Sequence, residues 1–249
     1  MRLQKITRLL EDLDDARAEL VFLCELQELA DYTLVAEFRA NLEALTARLD
    51  GLRRQIPGEF DEREAILTIE AKSYEGMCWG RDLLFRYMEQ AERHGRRVQI
   101  YSMSESLDFD LSVTMRIGGL NAFGWLKGER ALHRLDREGD RPAMDARVEV
   151  LAVAVSYDEI YVDEDEVEII EQRECSSCGG PRPDHVLAVR LRHLSTETNV
   201  RCSGQGATHR NRTGAWTWLH ARLLHLRRAS DEKAPPPVRH YNSRSPEII

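Results

Sequence analysis

Between residues 65 and 153 the chain alternates two kinds of hydrophobic pattern, and this alternation restricts its possible folds more than any other feature. Residues 65–69 form a short apolar run after a charged turn, and residues 98–101, 111–117 and 148–153 alternate or run apolar as strands do. Between the first two runs, residues 77–94 place Cys78, Leu83, Leu84, Tyr87 and Met88 at helical spacing and stop at Gly95. A second helix is predicted over residues 122–135. Strand, helix, strands, helix, strand is the order of an α+β domain.

On the N-terminal side, Leu3, Ile6, Leu10, Leu13, Leu20 and Leu23 keep a helical period, and so do Val35, Phe38, Leu42, Leu45, Leu49 and Leu52. Asp31-Tyr32-Thr33 breaks the two runs and supplies a cap, and Ile56-Pro57-Gly58 closes the second. The expectation for residues 1–58 is a helical hairpin, a packing element or an arm for a protein partner. On the C-terminal side, residues 158–171 are acidic, with Ile160, Val162, Val167, Ile169 and Ile170 available for burial. Residues 187–194 and 199–203 read as a β-hairpin, and residues 207–228 as a helix with Trp216, Leu219, Leu223 and Leu226 as its inner stripe. From residue 185 to 230, Arg190, Arg192, Arg201, Arg210, Arg212, Arg222, Arg227 and Arg228 are balanced only by Glu197. Two readings stand here, a solvated helix face and an RNA-facing surface. The segment from residue 231 to 249, with Pro235-Pro236-Pro237, reads as a disordered tail.

The acidic and basic arms flank an aperiodic stretch, Arg173 to Pro183, that reads R-E-C-S-S-C-G-G-P-R-P. It is a loop. Gly179-Gly180 gives the backbone freedom to turn, and Pro181 and Pro183 stiffen the exit while removing two donors. Cys175 and Cys178 make a C-x-x-C, but His185, Cys202 and His209 stand at no standard zinc spacing, so these two are weak candidates and no metal or other cofactor is expected. A formal charge of -8 over 249 residues excludes a uniformly basic nucleic-acid binder. No apolar run approaches the ~20 residues of a membrane span, the first residues do not resemble a signal peptide, and five cysteines without a dense framework fit a reducing cytosol. A cytoplasmic protein without membrane contact is the expectation.

The residues also resemble a family. Glu64-Ala65-Ile66-Leu67-Thr68-Ile69, Trp79 with Leu83-Leu84, and Ala91-Glu92-Arg93-His94-Gly95 stand in the order seen in bacterial class I peptide-chain release factors. So do Asn121 to Glu129 around Phe123-Gly124-Trp125, His133-Arg134-Leu135, Val148-Glu149-Val150-Leu151, residues 188–194, Cys202, His209-Arg210-Asn211-Arg212 and residues 219–223. The likeness covers residues 20 to 228 and is nearest to the type that reads UGA and UAA. It implies an α+β fold: a helical hairpin (1–58, a shortened first domain) followed by two mixed α/β domains. These are a central domain of codon-recognition type (59–155) and a domain of peptidyl-tRNA-hydrolysis type (156–230). It also implies ribosome or structured RNA as partner, with Arg190, Arg201, His209, Arg210, Asn211, Arg212 and Arg222 as RNA-binding residues.

The sequence departs from the family at its working parts. Where the family carries the stop-codon tripeptide Ser-Pro-Phe, residues 136–147 are shorter, acidic and without it, leaving Asp136, Arg137, Gly139 and Arg141 as a degenerate codon loop. The family's Gly-rich turn is replaced by Lys72-Ser73-Tyr74-Glu75-Gly76. The family's Gly-Gly-Gln, which promotes water attack on the peptidyl-tRNA ester, is represented by Cys178, Gly179, Gly180 and Pro181. Pro181 in the glutamine's place has no N–H to offer a developing oxyanion, whereas an ungapped match leaves Gly180 with its N–H. Neither alignment retains the glutamine side chain. No catalytic residue is therefore assigned, and the expected function is ribosome or structured-RNA binding without codon-dependent peptide release. Codon-independent peptidyl-tRNA hydrolysis in ribosome rescue and an RNA-stabilising or protein-binding module are the alternatives.

Overall fold

The computed structural model describes residues 11–19, 21, 41, 44–45, 58–106, 108–137, 142–155, 159–173, 187–229 and 237–242. The chain divides into two compact units, Met1–Glu59 and Phe60–Ile249. In the first, residues 11–19 are helical, as are 41, 44 and 45. Ala16 and Leu45, one from each predicted helical run, are buried together. The remainder of the predicted hairpin lies outside the described residues.

The second unit holds two sheets. The larger is built from β1 (Ala65–Lys72), β2 (Arg97–Glu105), β3 (Asp110–Gly118), β4 (Ala131–Asp136), β5 (Met144–Ala152) and β9 (Val238–Asn242). Their order across the sheet is β2-β3-β1-β5-β4-β9, antiparallel except for the parallel pair β4 and β9. The smaller is an antiparallel sheet of β6 (Val167–Arg173), β7 (Leu187–His193) and β8 (Thr198–Cys202). Among the described residues this unit has three α-helices: α1 (Tyr74–Arg93), the short α2 (Ala122–Leu126) and α3 (Thr208–Ala229).

The central strand β1 explains the layering. Its alternate side chains point to opposite faces, and nearly all are buried. Ala65, Leu67, Ile69 and Ala71 join Trp79, Leu83, Leu84 and Tyr87 of α1 in one core. On the opposite face Ile66 joins Tyr101, Leu151 and Val153, and these meet Ala215, Trp218, Leu219 and Ala221 of α3. The other side of α3 is covered by Val167, Val189, Leu191, Val200 and Cys202 of the smaller sheet. The layers therefore run α1, large sheet, α3, small sheet, and the two expected α/β domains share the core around α3. Small residues permit this sandwich. A Cβ on Gly76 of α1 would stand 2.5 Å from the Asp145 carbonyl oxygen, and one on Gly204 would stand 2.5 Å from that of Ile100. α1 begins at Ser73, whose hydroxyl accepts from the Gly76 N–H at 3.0 Å.

Four expectations are corrected. The helix predicted over residues 122–135 ends at Leu126 with one further 3-10 turn, Lys127–Glu129, and residues 131–136 are a strand. Ala-Leu-His-Arg-Leu suits either state, and pairing on both sides, with β5 and β9, decides it. The loop expected over residues 136–147 is shorter, since β5 starts at Met144 and Leu135 pairs with Met144. The tail expected after residue 230 contains β9, tied in by the Leu132 N–H donating to the Pro237 carbonyl at 2.9 Å. Leu226 lies outside the buried stripe of α3, with 47 % of its surface exposed.

A buried polar network locks β9 in place. The Glu129 carboxylate, 2 % exposed, accepts from the Tyr87 hydroxyl at 3.1 Å and from Arg239 Nη1 at 2.6 Å. Burial holds the His133 imidazole neutral by pushing its pKa down. Its Nε2–H donates to the Glu129 carbonyl at 2.9 Å, so its Nδ1 accepts from the Tyr241 hydroxyl at 2.9 Å. Every buried group in this chain of contacts has its partner.

Candidate nucleic-acid interface

The hairpin of β7 and β8 sorts its residues by period two. Val189 and Leu191, with Val200 and Cys202, point to the core, while Arg190 and Arg201 are exposed. In the antiparallel register Arg190 lies directly opposite Arg201. On its other side Arg190 faces Ile170 of β6. Neither cross-strand neighbour is an acid. Like charges directly opposite are unfavourable in a sheet, and the Arg190 Nε contact with Asn199 Oδ1 at 3.3 Å offers hydrogen bonding without charge. Arg192, two residues on, is compensated by Glu197 at 2.5 Å and Glu168 at 3.8 Å. Arg190 and Arg201 thus stand side by side on the outer face of the hairpin.

The first turn of α3 carries the second group. His209 and Arg210 are exposed, and Arg212, also exposed, has its Nη1 4.0 Å from Glu171. Asn211 is corrected: expected to bind RNA, it is fully buried. Its Oδ1 accepts from the Gln205 N–H at 3.0 Å and from the Cys202 thiol at 3.6 Å, and its Nδ2 donates to the Leu187 carbonyl at 3.0 Å. Leu187 also donates its N–H to Thr208 Oγ1 at 3.0 Å. Asn211 thus binds protein backbone, fastening α3 to the start of β7. Burial pushes the Cys202 thiol up to about 12, so it is an inert core group here.

Leu187 pairs with Arg173 across β6 and β7. These two residues fix both ends of the segment 174–186, and the exit end is hydrogen-bonded to the first turn of α3. Cys175, Cys178, Gly179, Gly180 and Pro181 lie within that segment, outside the described residues.

Arg222 is half-buried further along α3. It lies 3.4 Å from Glu149 of β5, so its charge joins α3 to the large sheet. Arg227 donates to the Glu159 carbonyl at 3.2 Å, and Arg228 lies over the Phe60 ring at 4.1 Å, whose centroid Arg63 approaches at 3.9 Å. Arg63 in turn holds the Glu159 carboxylate and lowers its pKa. The C-terminal half of α3 therefore spends its arginines on internal joints. A sequence shows how many arginines a helix has, but not that the helix lies between two sheets.

At the degenerate codon loop, Asp136 ends β4 opposite Asn242 of β9, with its Oδ2 3.0 Å from His240 Nδ1. Arg134 grips Asp145 through paired contacts at 2.8 and 2.7 Å, which lower the Asp145 pKa. Arg137 follows directly; Gly139 and Arg141 lie outside the described residues. His240 was missed by sequence reasoning, although Val-Arg-His-Tyr after Pro237 has strand-like alternation.

The comparisons with known proteins agree with this architecture. The PCRF domain profile matches residues 1–149. The chain is 32 % identical over 215 residues to peptide chain release factor 2 of Frankia casuarinae, covering 82 % of this chain and 59 % of that protein. It is 31 % identical over 238 residues to peptide chain release factor 2 of Corynebacterium glutamicum, covering 92 % of this chain and 64 % of that protein. The chain thus spans about three fifths of the length of these relatives. The structure described as RF2 of Thermus thermophilus superposes with a TM-score of 0.64 at 26 % identity, over 97 % of this chain and 76 % of that one.

Proposed function

Because this chain belongs to the PCRF-domain family of peptide chain release factors, we propose that it is a release-factor-like translation protein that engages ribosomal or other structured RNA. It does so without codon-dependent peptide release. The observation that carries the RNA reading is the register that sets Arg190 directly opposite Arg201 on the exposed face of the β7 and β8 hairpin. Two cations side by side on one exposed face suit a phosphate, whose charge both can meet. His209 and Arg210 add exposed basic groups at the foot of the 174–186 segment.

The negative half of the reading rests on chemistry. Ester hydrolysis needs a placed water and a donor for the oxyanion, and no alignment of Cys178, Gly179, Gly180 and Pro181 supplies the family's glutamine. Codon reading needs the tripeptide, which is missing between Leu135 and Met144, where β4 and β5 already pair.

Two measurements separate the halves. Pelleting with ribosomes across a salt series should show binding that weakens as salt rises, because phosphate contacts release counterions. A peptide-release assay on stop-codon-programmed ribosomes should stay at the no-factor level. Salt-independent pelleting sinks the RNA reading, and release well above control sinks the other.

A further inference from the structure

A second surface of the same unit has the opposite character. Tyr74, the first residue of α1, is 56 % exposed, and its ring meets that of Phe109 edge-on at 5.4 Å. Phe109 is 46 % exposed and sits at the tip between β2 and β3 with φ +63. A bulky residue in the left-handed region is strained, and the surrounding structure must hold it there.

The tip is built to hold Phe109 outward. Ser106 accepts through its carbonyl from the Phe109 N–H at 3.2 Å, and its hydroxyl accepts from the N–H groups of Asp108 and Asp110, both at 3.2 Å. Its own N–H donates to the Asp110 carbonyl at 2.9 Å. Met103, on the neighbouring part of β2, is also exposed.

The rim is acidic. Asp108 and Asp110 flank Phe109, Glu75 follows Tyr74, and Asp82 lies further along α1 with its side chain exposed. Arg81 of α1 is held by Glu105 through its Nε at 3.0 Å. Lys72 stands opposite Asp110 in the β1–β3 register. Acids outnumber cations, which disfavours a phosphate backbone.

β2 is the outer strand of the large sheet. The Ser203 and Gly204 N–H groups both donate to the Tyr101 carbonyl, at 2.7 and 2.9 Å, and Gln205 takes the Ile100 carbonyl. That loop covers the first half of the edge. Beyond it, no strand among the described residues pairs with the outer side of residues 102–105. An open edge of this kind accepts an extended segment from another chain.

We propose that Tyr74, Phe109 and Met103, with Asp108 and Asp110, form a docking surface for an extended, arginine- or lysine-bearing segment of a partner protein. The cations of the segment meet the carboxylates and the aromatic faces, while its backbone lies along residues 102–105.

The test uses the full chain and a fluorescein-labelled peptide of alternating arginine and valine, read by anisotropy. A peptide of alternating glutamate and valine is the control. The variant Tyr74→Ser/Phe109→Asn should weaken binding by about tenfold, and asparagine tolerates φ +63, so its thermal stability should not fall. Asp108→Asn/Asp110→Asn should weaken binding similarly, whereas Arg190→Glu should not, which keeps this result separate from the RNA reading. Unchanged affinity in both double variants overturns the proposal. So does equal binding of the acidic peptide, or loss in the Tyr74→Ser/Phe109→Asn variant of affinity for a single-stranded RNA 12-mer, which would make the surface an RNA platform.

Discussion

Arg190→Glu should make this protein more stable and less able to bind RNA at the same time. The side chain lies opposite Arg201 across β7 and β8, with Ile170 as its other neighbour, so the substitution turns a like-charge pair into an opposite-charge pair. Cross-strand charge pairs are each worth roughly 0.2–1 kcal/mol, with like charges unfavourable. The swing adds the penalty removed to the attraction gained, roughly 0.4–2 kcal/mol, and solvent screening of two exposed side chains keeps it towards the lower end, about 0.5–1 kcal/mol. For a protein of this size that corresponds to a rise of about 1–4 °C in Tm. Ribosome or RNA affinity should drop most at low salt, and the slope of log K against log salt should become shallower by ~0.7–0.9 for the phosphate contact removed. Thermal unfolding and a pelleting or filter-binding series on the same preparation read both quantities. Isotherms that superimpose on wild type at every salt concentration would refute the assignment of the interface. A lowered Tm would refute the account of the register. A merely structural arginine would not separate the two readouts in this direction.

Asn211→Ala distinguishes a backbone anchor from an RNA contact: it strips the Gln205 N–H and the Leu187 carbonyl of their partners, so urea unfolding should show a loss of about 2–4 kcal/mol. Loss of RNA binding with an unchanged urea midpoint would return Asn211 to the RNA-contact list. His133 carries a pH dependence. Burial holds its folded pKa below that of a free imidazole, so its contribution is complete above the free value and is lost as pH falls towards the folded one. His133→Gln should therefore lose less stability than wild type between pH 7 and pH 5, with His220, whose pKa burial also lowers, common to both proteins. Parallel stability curves would count against this.

Much of the architecture was legible from residue periodicity. The β runs at 65–69, 98–101, 111–117 and 148–153 are the cores of β1, β2, β3 and β5, and the predicted 207–228 helix is α3 within a residue at each end. These elements bury one regular face, so local pattern and tertiary context agree. β4 and β9 were not legible because neither is stable alone. β4 becomes a strand between β5, its neighbour in the chain, and β9, which is far away in sequence, and β9 has only that distant partner among the described residues. The candidate interface was legible in composition and less so in placement. Arg190 and Arg201 alternate with apolar neighbours and so announced an outward face. Asn211 and Arg222 lie on α3, where enclosure between two sheets overrides the polarity of the residue. Polar character marked them as surface; the fold gave them internal partners.

The return of β9 to the large sheet bears on how the chain can be made. Arg239 neutralises Glu129, 110 positions earlier, and Tyr241 completes the hydrogen bonding of His133. During synthesis, everything from β1 to α3 emerges before these two residues exist. Until then Glu129 is a carboxylate without its arginine, and β4 is an edge. The nascent large sheet must therefore wait in a provisional state, open on one side, while the smaller sheet and α3 are added to its opposite face. Strand β9 can join the large sheet only after β1 to α3 have been made, so residues 237–242 complete a sheet that the earlier strands begin.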